Sequence, residues 1–184
     1  MNALAANIAE SVQTAHKNWG WYLALGIALV LAGIYAIYED TAATTASVIV
    51  IGAVVFIAGI LQLAGAFLAR GAGHVIILLL VGALDIIVGL MLLQHPTAGA
   101  LTITLLLAAL FVFSGIYRFV AALWLQFPYY GWAAFSGLVS LALGVLLWMQ
   151  WPISGFWFIG FAVGVNFIFA GIAWSSLALK LKTA

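Results

Sequence analysis

The sequence predicts an all-α integral membrane protein with six transmembrane helices, arranged as three tandem two-helix hairpin repeats. Three observations predict it. Hydrophobic residues make up 68% of the 184-residue chain and charged residues 5%, with a mean hydropathy of +1.31. A soluble domain carries about 25% charged residues, so this chain lacks the polar side chains to coat a water-facing surface. Six apolar stretches each reach spanning length, and a glycine pattern recurs along the whole chain.

A spanning helix needs about 20 mostly apolar residues, because the hydrocarbon core is roughly 30 Å thick. Trp19–Tyr38, Thr44–Ala69, Val75–Gln94, Ala98–Leu125, Tyr130–Gln150 and Ser154–Leu179 meet that requirement. A closed β-barrel would alternate polar and apolar residues in short segments; Val75–Leu84 and Leu101–Val112 do not alternate. The second, fourth and sixth stretches are longer than the others, which predicts tilt or overhang beyond the bilayer. The breaks carry turn chemistry: Glu39-Asp40-Thr41, Arg70 to His74, Gln94-His95-Pro96-Thr97, Phe127-Pro128-Tyr129 and Trp151-Pro152-Ile153. Proline lacks an N–H and glycine tolerates positive φ, so both suit helix ends. The chain reads as a single membrane domain of three copies over residues 17–73, 74–128 and 129–184. Residues 1–16, with Leu4, Ile8 and Val12 at i+4 spacing, read either as an amphipathic helix on the membrane face or as a frayed terminus. A cleaved signal peptide is not expected, because a basic region ahead of a short apolar core is missing.

Basic residues near span ends set orientation. Lys17, Arg70, Arg118, Lys180 and Lys182 all fall on the side of the two termini, whereas the other side has Glu39, Asp40 and His95 and no Lys or Arg. Both termini of the multi-pass chain are therefore expected in the cytoplasm. Trp19, Trp21, Trp124, Tyr129, Tyr130 and Trp132 would line the inner interface, and Tyr38, Trp148, Trp151 and Trp157 the outer one.

Glycines fall seven apart in the odd spans (Gly26 and Gly33, Gly82 and Gly89, Gly137 and Gly144) and again in the even spans (Gly52 and Gly59, Ala108 and Gly115, Gly164 and Gly171). The odd spans repeat at offsets of 56 and then 55 residues, the even spans at 56 both times. A seven-residue spacing returns to one helix face, and in lipid helices are held by close backbone approach through small residues. The stripes therefore read as packing seams, and the copies as units related by an approximate threefold rotation about the membrane normal, as in parallel-repeat transporters.

Gly20-Trp21, Gly26 and Gly33, then Gly82, Gly89 and Pro96, then Gly131-Trp132, Gly137, Gly144 and Pro152, with Gly59-Ile60, Gly115-Ile116 and Gly171-Ile172, resemble the HdeD family of bacterial acid-resistance membrane proteins. The resemblance covers residues 19–182 and departs in the first copy, where Asp40 replaces proline. It implies a six-span inner-membrane protein linked to acid stress, and carries over no catalytic residue.

Two ionisable residues fall inside spans, Asp85 and Arg118, and such residues are functional candidates because hydrocarbon disfavours charge. Asp85 follows Gly82 by three residues and Arg118 follows Gly115 by three, so both share the glycine seams and are expected to face protein. The equivalent positions are Leu29 and Ser140 for Asp85, and Gln62 and Trp174 for Arg118. Two fates are open: an Asp85–Arg118 ion pair, or Arg118 snorkelling to cytoplasmic phosphates with Asp85 bonded to hydroxyls such as Ser136 or Ser140, or protonated. Desolvation disfavours an isolated carboxylate, which makes Asp85 a candidate pH-responsive group beside its plainer role as a polar clamp. His95 joins Glu39 and Asp40 as the other pH-responsive candidates, because histidine is the residue type that serves as a switch near physiological pH. Gln62 and Asn166 read as interhelical hydrogen-bonding groups.

The classes excluded are clear. Zero cysteines remove disulfides, thiolate metal sites and cysteine catalysis. A net charge of +1 gives no electrostatic case for nucleic acid. No histidine lies inside a span, no metal-ligand spacing or nucleophile–base pair is present, and no cofactor is implied. The expected protein is non-enzymatic, partnered by the lipid bilayer and by itself or other membrane proteins. The rival readings are an accessory subunit of a larger membrane complex and a small channel or carrier using Asp85 and Arg118.

Overall fold

The computed structural model describes residues 19–69, 71–125 and 130–183. They form six helices: α1 (Trp19–Tyr38), α2 (Asp40–Leu68), α3 (Ala72–Gln94), α4 (Pro96–Leu125), α5 (Tyr130–Met149) and α6 (Ser154–Thr183). Each is long and apolar enough to cross a membrane. The even helices run to 29, 30 and 30 residues against 20, 23 and 20 for the odd ones, so the even members overhang a roughly 30 Å core if upright. The first sixteen residues, with Lys17 and Arg70, lie outside the described residues.

Several helices begin earlier than apolarity alone predicts. α2 starts at Asp40 instead of Thr44, leaving Glu39 as the whole connection from α1. An acidic side chain in the first turn interacts favourably with the free N–H groups there. α4 starts at Pro96, whose fixed φ suits a first helical position and whose missing N–H would be unbonded in any case. α6 runs past Leu179 to Thr183, with Lys180 and Lys182 beside the carbonyls of its last turn. Gly71, immediately before α3, has φ 103°, a region that L side chains rarely adopt. Gly71→Ala is expected to cost about 1 kcal/mol, read as a lower melting temperature with unchanged helix content.

Most of what is buried is small. Ala36, Ala66, Ala100, Ala108, Ala122 and Ala178 are buried, while Phe67, Leu68 and Trp124 are more than four-fifths exposed. This is the inverse of a soluble domain. It follows from lipid as solvent, where large apolar groups gain nothing by facing inward and small residues allow backbones to meet.

The described residues separate into two compact units. The first joins α1 to the portion of α6 from Gly160 onward; the second comprises residues 40–159. In the first unit, a Cβ on Gly33 would stand 2.6 Å from the Gly164 carbonyl oxygen, and one on Gly171 2.5 Å from that of Gly26. The two helices therefore run antiparallel with their backbones in contact. At their far end the Lys182 ammonium lies 4.9 Å from the Trp19 ring centre, a cation–π contact, and Tyr22 stacks on Trp174 at 5.8 Å.

The second unit contains two seams of the same design. Gly59 faces Gly82 across α2 and α3, and Gly89 faces Phe56, with Gly52 nearby against Leu92. Gly115 faces Gly137 and Leu141 across α4 and α5, and Gly144 faces Ala108 and Val112. Val48, Thr104 and Ala108 are buried at the core of this unit, with Leu147 and Ser154. The Ser154 hydroxyl donates to the Leu147 carbonyl at 2.9 Å and ties the start of α6 to the end of α5.

The seams are out of phase with the sequence repeat by one helix. Read from sequence, each copy is an odd helix and the even helix after it. In the structure the glycine contacts join α2 to α3 and α4 to α5, across copy boundaries, and α6 to α1. In the second copy the physical reason lies in the connection. His95 alone links α3 to α4, shorter than the two to five residues of an antiparallel helical hairpin. The seam glycines of α3 and α4 pack on α2 and α5 instead of on one another.

Candidate functional site

The polar contact that spans two helices at mid-depth is between Gln62 and Asp85. The Gln62 amide Nε2 donates to Asp85 Oδ2 at 2.6 Å, from α2 to α3. Both residues are half-buried. Asp85 lies 13 residues from the start of α3 and nine from its end, about 20 Å and 14 Å along the axis.

The geometry follows from the antiparallel seam. Gln62 lies three residues after Gly59 and Asp85 three after Gly82, each about 4.5 Å past the crossing and in opposite directions. Every Cα–Cβ bond in a helix tilts toward the N-terminus. Both side chains therefore lean back toward the point where the glycines touch, and there the amide meets the carboxylate. Glycine at 59 and 82 keeps the helices close enough for two short side chains to bridge them.

An amide suits either form of this acid. A carboxylate accepts from the amide N–H; a neutral carboxyl accepts the same bond while donating its O–H to the amide oxygen. The Gln62–Asp85 pair therefore gives a mid-membrane acid a hydrogen-bonding partner in both protonation states.

Arg118 is not part of this site. It is exposed on α4, with its Cβ against the position a Cβ on Gly137 would take, at 3.2 Å. Asp85 is paired with Gln62 instead of Arg118, and neither Ser136 nor Ser140 reaches it: Ser136 Oγ donates to its own helix at the Ala133 carbonyl. Arg118 thus starts at the α4–α5 seam, as its spacing from Gly115 predicts, while the residue as a whole is exposed. A long cationic chain can lay its stem on a neighbouring helix and keep its head outside. The sequence offers Asp85 one candidate partner in its own copy, Arg118, and two in the following copy, Ser136 and Ser140. The useful signal was that Gln62 occupies the position equivalent to Arg118 in the preceding copy, and seams join consecutive copies.

The other sequence candidates lie apart from this pair. Glu39 is the exposed link between α1 and α2, and Asp40 heads α2, half-buried. His95 is exposed at the end of α3, where its backbone N–H donates to the Met91 carbonyl at 2.9 Å. His74 is exposed near the start of α3. Asn166, expected to bridge helices, is exposed on α6, and among the described residues no hydrogen bond reaches its amide. Among the described residues no three His, Asp or Glu side chains converge.

Comparison with known proteins gives one match, made twice. A model of a short repeat of unknown function, DUF308, matches residues 24–94 and again residues 80–149, together more than half of the chain. The chain belongs to the DUF308 family. The two DUF308 matches begin 56 residues apart, the same offset that separates the first two glycine copies. Each match runs over the seam glycines of one even–odd helix pair, Gly59 and Gly82 in the first and Gly115 and Gly137 in the second. No curated protein and no solved structure matches the chain.

Proposed function

We propose that this DUF308 protein is a non-enzymatic, HdeD-like component of the bacterial cytoplasmic membrane that serves in acid or envelope stress, with both termini in the cytoplasm and three copies in approximate threefold pseudosymmetry. The observation that carries this reading is the DUF308 repeat matched twice at a 56-residue offset, on a chain whose Gly-Trp, glycine and proline pattern resembles the HdeD family. The grouping of all Lys and Arg residues on the side of the termini supports the orientation. Asp85 acts first as a polar clamp between α2 and α3, and the short bond from Gln62 supports that role.

Survival of a deletion strain at low pH tests the stress assignment, with survival expected to fall and to be restored by the wild-type chain. Unchanged survival would remove the acid-stress reading. Asp85→Asn separates the two roles of the acid. An asparagine still pairs with the Gln62 amide, so a clamp predicts normal protein level and normal survival. Lost survival at normal protein level would instead assign Asp85 a titrating role.

A further inference from the structure

We propose that α6 carries a self-association surface centred on Asn166, through which two copies of this chain pair in the membrane. Asn166 is exposed twelve residues into α6, about 18 Å along a helix about 45 Å long. It lies on the face opposite Gly164 and Gly171, which pack on α1. Its amide carries two donors and an acceptor at a depth where lipid tails offer none.

The internal repeat supplies the control. The equivalent residues are Val54 and Leu110, exposed by 61% and 54%; the same face looks outward in every copy, and two copies fill it with apolar side chains. The contrast continues along the helix. Ala162, Asn166, Phe169, Ala173 and Ser176 follow at steps of four, three, four and three, and all are exposed. Ala173 corresponds to Leu61 and Tyr117, and Ala162 to Val50 and Leu106, each of them large and exposed. At 162, 166 and 173 only the third copy replaces bulk with small or polar residues.

Steps of four and three give the 3.5-residue repeat of a left-handed helix pair, and small side chains let two backbones approach in lipid. The Ser176 hydroxyl is already used within its own helix, donating to the Ala173 carbonyl at 2.8 Å, which leaves the Asn166 amide as the group seeking a partner. A second copy supplies one without further design. Two chains of the same orientation related by a twofold axis along the membrane normal bring identical depths together. Asn166 then meets Asn166, each amide donating to the other's oxygen, in the way one buried asparagine fixes the register of a helix pair. An unrelated partner would need its own polar group at that depth.

The chain has no cysteine, so single cysteines report the contact in native membranes. Oxidation of the Ala173→Cys protein is expected to give a covalent dimer, and Leu61→Cys, its equivalent in the first copy, is expected to stay monomeric. In mild detergent the full-length wild type is expected to weigh as a dimer, and Asn166→Leu to raise the dissociation constant about tenfold. Ala173→Leu, which restores the bulk of the first copy at an exposed site, is expected to weaken the dimer while preserving the fold. A wild type that is monomeric at every concentration, equal cross-linking at 173 and 61, or a different polypeptide released by Asn166→Leu would each overturn the proposal. It rests on the membrane reading but not on the stress assignment, which the survival assay tests separately.

Discussion

Replacing Gly115 with valine is expected to lower folded stability by about 3 kcal/mol, at the upper end of the usual cost of overpacking. A Cβ there would stand 2.5 Å from the Leu141 backbone nitrogen and 2.8 Å from the Gly137 carbonyl oxygen. Both belong to the main chain of α5, so no rotamer change relieves the clash. The helices would have to separate along the seam, and Gly144, which packs as closely on the backbone at Ala108 and Val112, would lose its contact with them. In lipid no hydrophobic effect compensates a loosened seam. Gly65→Ala is the matched control. It lies inside α2 with nothing within 4 Å of a new Cβ, so the substitution removes a poor helix former and is expected to be neutral or slightly stabilising. Unfolding in mixed detergent, followed through the tryptophans, reads both. Equal stability of the two variants would show that α4 and α5 do not meet through this glycine.

The spans were legible because hydrocarbon thickness fixes their length, and α1 falls on the residues its apolar run marks out. Helix starts were less so: Asp40 and Pro96 look like breaks by polarity, yet each is favoured in a first helical turn by charge or by fixed φ. The seams were legible as faces but not as pairs. Both helices of every copy carry the same glycine stripe, and identical stripes contain no information about which two mate. That ambiguity leaves Arg118, Ser136 and Ser140 as candidate partners of Asp85 and conceals Gln62. Once α2 is known to pack on α3, the tilt of Cβ toward the helix N-terminus is enough to bring Gln62 and Asp85 together. The exposure of Arg118 and Asn166 was not legible at all, since hydropathy reports what a residue is and not which way its helix turns it.

The second large effect is expected at the acid–amide pair, where single substitutions should be costlier than the double one. Gln62→Leu removes the donor and leaves the Asp85 carboxyl at mid-depth without the amide that reaches it at 2.6 Å. Stranding such a group costs about 1–3 kcal/mol. Asp85→Leu strands the Gln62 amide instead, at a cost in the same range. Removing both partners leaves an apolar contact beside the Gly59–Gly82 crossing with no group unsatisfied, and that change can approach neutrality. The double variant is therefore expected to be more stable than Gln62→Leu alone, with a coupling energy on the order of 1 kcal/mol. Additive costs across the four proteins would mean that the two side chains do not act on one another. Arg118→Leu, which lies outside the pair and on the surface, is expected to leave both the Gln62→Leu cost and the coupling unchanged, because non-contacting sites add independently.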